Sequence, residues 1–190
     1  MPDEGLDERA LVRRAATDAD AFAILYRRHV GRVFGYVARR TGSRELAEDV
    51  TSATFERALR SLPQFEWRAG GVAPWLFRIA SNELTDHYRS QARQKSTRAT
   101  RAAHVLSAPF DEAADARLSA TDATDIAELR GALDQLNPRY QRALELRYLA
   151  GLRHEDAAHA FGSSKATFAV VLHRATSALR KQIESERRGA

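Results

Sequence analysis

No cysteine occurs among the 190 residues. That excludes disulfides, thiolate metal sites and a thiol nucleophile. Lysine is nearly missing as well: 3 of the 30 basic residues are Lys and 27 are Arg, so the cationic surface consists of planar forks suited to phosphate. Proline and glycine are sparse, 5 and 10 residues, and most fall at the ends of periodic stretches. No alternating polar and apolar pattern persists, which argues against β structure. No run of about 18 apolar residues is present, so nothing is expected to span a membrane. The opening "MPDEGLDERALVRRA" lacks the apolar core of a signal peptide. The expectation is a soluble, cytoplasmic chain. Metal chemistry has no foothold either. In "HEDAAH", His154 and His159 stand five apart, about 140° around a helix, whereas a zincin pair needs i and i+4. No Ser-His-Asp constellation can be assembled, so no catalytic residue, cofactor, metal or small-molecule substrate is expected.

What is present is arginine in blocks, and helical periodicity. The net charge is +5 with a pI near 9.9, a mild bias toward a polyanionic partner. From His87 to Arg101 there are five bases and no acids; from Ala102 to Glu128 six acids and one base; from Leu129 onward eleven bases and six acids. Two basic modules and an acidic connector are expected.

The first module contains three periodic stretches. Phe22, Leu25, Tyr26, His29, Val33, Tyr36 and Val37 recur at three and four along residues 18–40, one apolar stripe. Gly31 and Gly35 inside it predict a bend or a close helix crossing. Ser43 can cap a helix over 44–61, with Leu46, Val50, Ala53, Phe55 and Leu59 as its core candidates, stopped by Pro63. The loop "PQFEWRAGGVAP" carries Phe65, Trp67 and a Gly pair, and Pro74 suits the first turn of a helix over 75–93. On that helix Leu76, Ile79, Ala80, Leu84 and Tyr88 share one face, while Arg78, Asn82, Thr85 and Arg89 share another. A helix buried on one side and offering Arg, Asn and Arg on the other fits a groove or backbone contact.

Periodicity lapses over 94–124, read as a linker. It returns with Ile126, Leu129, Leu133 and Leu136. Asn137-Pro138 restarts a helix that Gly151 ends. A short helix "HEDAAHAF" then leads through Gly162 into a last helix capped by Ser163 or Ser164, with Phe168, Val171, Leu172, Ala175 and Leu179 inward. Two short helices joined by a Gly turn, with small Ala157 and Ala158 at the crossing, form a helix-turn-helix pattern. The fold class is all-α: two small helical domains joined by a flexible linker. The expected boundaries are a tail over 1–17, a first domain over 18–94, an acidic linker over 95–124, a helix-turn-helix domain over 125–185 and a tail over 186–190.

Two distant blocks resemble one family. "AEDVTSATFERAL" and "FEWRAGGVAPWLFRIASNELTDHYR" resemble region 2 of bacterial RNA polymerase sigma factors of the extracytoplasmic-function group. "LDQLNPRYQRALELRYLAGLRHEDAAHAFG" followed by "LHRATSALRK" resembles their region 4. The resemblance implies core RNA polymerase and promoter DNA as partners. Glu48, Asp49, Ser52, Phe55 and Glu56 would meet the polymerase clamp, with Ser52 where many relatives have Gln. Phe65, Glu66, Trp67 and Arg68 would catch a base turned out of the promoter duplex. Arg78, Asn82, Asp86 and Arg89 would face the −10 element. In the last helix, relatives carry Lys and Arg where this chain has Ala169 and Val171. Forks or amides are needed for bidentate base contacts, so −35 binding is expected to be led by shape and backbone. Ser164, Lys165, Thr167, Ala169, Val170, His173 and Arg174 would lie against DNA, with Arg142, Arg147 and Arg153 on phosphates. An anti-sigma protein or an activator is an alternative cover for the apolar face. A stand-alone helix-turn-helix regulator is the competing reading. It has no need of a clamp helix or an aromatic loop.

Overall fold

The computed structural model describes residues 7–68, 70–98 and 128–189. All secondary structure among them is helical. The chain divides into two units, Met1–Phe110 and Asp111–Ala190.

The first unit begins with a helix where a tail was expected. Helix α1 spans Glu8–Ala15, with Asp7 accepting the Arg9 amide as its cap and Leu11, Val12 and Ala15 buried. Two turns are too short to stand alone in water, so packing on the next helix holds α1 in place. Helix α2 (Ala19–Thr41) starts at Asp18, whose carboxylate accepts the Asp20 and Ala21 amides, and ends at Gly42 in the left-handed region. Most of its stripe is as expected, with Leu25, Val33, Tyr36 and Val37 at 1% exposure or less, but Tyr26 is 41% exposed. Gly31 and Gly35 do not mark a close crossing. The helix runs through both. A Cβ on Gly31 would meet nothing within 4 Å, and one on Gly35 only the Arg39 guanidinium of the same helix.

Helix α3 (Arg44–Ser61) is capped by Ser43 through the Leu46 amide and gives way at Pro63 to a short 3-10 turn, Leu62–Gln64. Leu59, an expected core residue, is 48% exposed. Helix α4 (Ala73–Arg98) runs longer than expected, past the anticipated domain boundary at 94. It buries Leu76, Phe77, Ile79, Ala80 and Leu84. Tyr36 and Phe77 meet edge to face at 5.5 Å, and Arg57 on α3 ties to Glu83 on α4 at 2.8 Å.

In the second unit residues 128–134 are helical and form α5. Asn137 caps α6 (Pro138–Leu144), with Pro138 in the first turn. A π-helical turn, Glu145–Leu149, continues it. Helix α7 spans His154–Phe161 and α8 spans Lys165–Gly189, so the expected C-terminal tail continues α8. Between them Gly162 takes φ +84 and closes α7: its amide and that of Ser163 both reach the Ala158 carbonyl at 3.0 Å. Only glycine takes that backbone conformation without strain. Leu133, Leu144 and Ala175 form a core packed by Leu136, Tyr140, Leu172 and Leu179. Phe168 is fully buried between Phe161 and the edge of His154. The linker expected over 95–124 lies, from residue 99 on, outside the described residues.

Candidate nucleic-acid interface

Each predicted surface can now be assembled from its residues. On α3, Glu48, Asp49, Ser52 and Glu56 are all exposed along one side. Arg44 pairs with Glu48 at 2.9 Å, and Arg60 approaches Glu56 at 3.9 Å. Phe55 does not belong to that surface. It is buried and meets Tyr26 of α2 with ring centres 4.7 Å apart, so it backs the acidic face instead of forming it.

The loop after α3 carries an aromatic cluster. Phe65 is half-buried, 4.8 Å from Trp75 and 6.4 Å from Trp67. Glu66 and Arg68 point outward and approach each other at 3.4 Å. Gly71 donates to the Arg68 carbonyl and takes φ +73. The clamp on this loop is Glu8 of α1, a residue the sequence reading left in a tail. Its carboxylate accepts from His29 Nε2 at 2.9 Å and from the Val72 amide, and its other oxygen stands where a Cβ on Gly71 would go. His29 is 7% exposed. The His29 hydrogen bond, ahead of the opposing effect of burial, holds the Glu8 carboxyl below its ordinary range. Beside the clamp a cavity of about 290 Å3 opens, lined by Arg9, Val12, Arg13, Leu62, Phe65 and Trp67, with Ala16 and Pro63 at its edge.

On α4, Arg78, Asp86 and Arg89 are exposed and Asn82 is half-buried. Asp86 lies 3.8 Å from Arg89, so one acid partly offsets one of the two bases on that face.

The last helix separates what the sequence left joined. Ser164 Oγ accepts the Thr167 amide at 3.1 Å and caps α8. Lys165, Ala166, Thr167, Ala169, Val170, His173 and Arg174 are exposed, Val170 by 52%. Val171 is 7% exposed and packs inward, so it meets neither base nor partner. Two of the three expected phosphate ligands are tied to backbone carbonyls of the fold. Arg142 is half-buried and donates to the Ala160 carbonyl at 3.4 Å, its Nε shut away from water. Arg147 donates to the Leu152 carbonyl at 3.1 Å. Arg153 pairs with Asp156 at 2.9 Å; that hydrogen bond raises its pKa, yet its side chain remains 80% exposed. Cations near a helix C-terminus satisfy carbonyls that the helix leaves open. His154 faces Phe168 and the Lys165 carbonyl. Among the described residues no group of three His, Asp or Glu could hold a metal, and no helix is long and apolar enough to cross a membrane.

These two units coincide with two family models: Sigma-70 region 2 matches residues 25–94 and Sigma-70, region 4 matches residues 126–179. The ECF RNA polymerase sigma factor BldN of Streptomyces coelicolor is 33% identical over 182 residues, which cover 94% of this chain and 66% of BldN. The RNA polymerase sigma factor CarQ of Myxococcus xanthus is 32% identical over 85% of this chain and 88% of its own. Among solved structures, CnrH in complex with the cytosolic domain of CnrY superposes with a TM-score of 0.65 at 20% identity, over 94% of this chain and 99% of that one, which is a likeness of fold. With both regions matched in order and CarQ matched over 88% of its own length, the chain belongs to the sigma-70 family of RNA polymerase sigma factors, in its extracytoplasmic-function group.

Proposed function

We propose that this sigma factor divides its work between the two units as follows. The exposed acids of α3, Glu48, Asp49 and Glu56, with Ser52, dock on a basic face of core RNA polymerase. The α4 face carrying Arg78, Asn82, Asp86 and Arg89 lies along the −10 element. The loop from Phe65 to Gly71 traps an unpaired base, each stacked base contributing about 1–3 kcal/mol. Strand separation is then driven by binding energy, with no chemical step by this chain, which acts in the cytoplasm where polymerase and promoter are. The observation that carries this reading is the aromatic loop itself. Its rings are half-buried and braced by Trp75, Gly71 and Glu8, so the stacking surface is organised before any base arrives.

Helix α8 docks at the −35 element through Lys165, His173, Arg174 and the exposed Arg153, while Ala169 and Val170 offer only apolar contact to thymine methyls. Direct readout there is weak. In a promoter mutation series, single-base changes across the −35 element each cost less than about 2 kcal/mol in transcription, below the upper range of bidentate contacts. Costs of about 2–3 kcal/mol at single positions would show base readout that these side chains have no groups to provide. The exposed Val170 favours a second role for the same face, contact with an anti-sigma protein when the factor is held inactive. The decisive experiment mixes the full chain with core polymerase and a promoter library and sequences the transcripts. Absence of polymerase binding eliminates the reading.

A further inference from the structure

The cavity beside the aromatic loop has a second wall that neither family match covers, because the region 2 match begins at residue 25. That wall is α1. Arg9 and Arg13 stand four apart, on one face of the helix, and both are exposed while lining the cavity. Arg14, the next residue, is turned to Asp18 at 2.9 Å and lines nothing. Val12 and Leu62 add apolar lining, and Phe65 and Trp67 add aromatic rings. Flat aromatic rings, an apolar lining and two guanidinium forks together fit a nucleotide: rings for the base, forks for the phosphate. At about 290 Å3 the space sits at the bottom of the small-molecule range of about 300–1,000 Å3. It accommodates one nucleotide and no helix.

We propose that α1 is half of the base-trapping site: Arg9 and Arg13 hold the phosphate of the promoter nucleotide whose base stacks on Phe65 and Trp67. This rests on reading the loop as the one that traps an unpaired base. It adds a positioning element outside that loop. Glu8 joins the two parts. From the same helix it contacts the loop backbone at Val72 and Gly71 and is itself bonded to His29, so the helix that carries the forks is tied to the loop that carries the rings. The carboxylates around the pocket do not cancel the forks. Glu8 is turned to His29, and Glu66 to Arg68.

The test uses holoenzyme reconstituted from the full chain and core polymerase, on a promoter fixed by transcript mapping. Opening is followed through 2-aminopurine placed along the −10 element, at a series of KCl concentrations. Arg9→Ala with Arg13→Ala is expected to reduce opening and to lower the salt slope by about 0.7, one single-strand phosphate contact. Arg9→Lys with Arg13→Lys restores the slope, since charge is kept. Arg14→Ala leaves it unchanged. Tryptophan fluorescence in urea checks that the variants keep the wild-type fold. An unchanged slope in the double Ala variant, with Phe65→Ala and Trp67→Ala still defective in opening, overturns the role of α1 and leaves the loop reading standing. Normal opening with both aromatics removed overturns the loop reading itself.

Discussion

Gly71→Ala tests whether α1 and the loop are one mechanical unit. Two costs are expected. At φ +73 an L side chain enters the left-handed region, at about 1–2 kcal/mol. The new Cβ also crowds a Glu8 carboxylate oxygen, so the Glu8 carboxylate must shift and its bonds to His29 and the Val72 amide are weakened or lost. Hydrogen bonds to a charged group contribute about 1.5–3 kcal/mol when buried. The Glu8 side chain is 33% exposed, and water replaces part of what is lost, which brings this second cost to about 1–2 kcal/mol. The total is about 2–4 kcal/mol. In a Glu8→Ala background the carboxylate is already gone, and Gly71→Ala should cost only the backbone part, about 1–2 kcal/mol. A double-mutant cycle in urea therefore yields a coupling of about 1–2 kcal/mol. The chain has two tryptophans, Trp67 and Trp75, both in the first unit, so their fluorescence follows this unit. A coupling below about 0.5 kcal/mol, the limit of additivity between independent sites, would refute the clamp.

Three further outcomes follow from the same structure. Gly31→Ala should stabilise the first unit by about 0.5–1 kcal/mol, because the position is exposed, mid-helix and open around the Cβ; a lower urea midpoint would contradict it. Phe168→Ala should cost the second unit about 3–5 kcal/mol, since the ring is fully buried; circular dichroism registers the loss of helix while tryptophan fluorescence of the first unit stays unchanged. Glu8 and Asp18 both have lowered pKa values, from the His29 and Arg14 hydrogen bonds first. Lowered carboxyls contribute stability above their unfolded pKa, about 4, and lose it as pH falls through the folded value. Acid should therefore loosen the first unit below about pH 4, sooner in wild type than in Glu8→Gln relative to each protein's stability at pH 7, as read by tryptophan fluorescence.

Much of the fold was legible because helix punctuation is local. Asp18, Ser43, Asn137 and Ser164 hold the caps of their helices with their own side chains, and such short hydrogen bonds can be read from residue type and position. The arginines of the second unit were not legible in the same way. Arg142 reaches a carbonyl 18 residues away, a contact that exists only once α7 has folded back on α6. Phe55 has the spacing of a core residue and is one, covered by Tyr26; only the family resemblance set it on the outer face. Helix α1 was missed because eight residues give too little periodicity beside an acidic start, although Asp7 followed by Leu11, Val12 and Ala15 holds both a cap and a buried stripe.

The atypical last helix shows why fold and readout separate in this family. Folding of α8 requires Phe168, Val171 and Ala175 inward, and those positions are filled. The outward positions Ala166, Ala169 and Val170 touch no core, so packing sets no residue type there. Replacing a long cation by Ala at an exposed helix site such as 169 changes stability by a few tenths of a kcal/mol, within about ±0.5. The same replacement leaves that position without a fork or amide able to pair bidentately with a base edge. A chain can therefore keep the −35 helix in place and still lose its reading of sequence. Phosphate attraction from Lys165, His173 and Arg174 then depends on salt more than on base identity. On the proposed assignment, discrimination between promoters shifts to the first unit, which carries the aromatic loop and the α4 face.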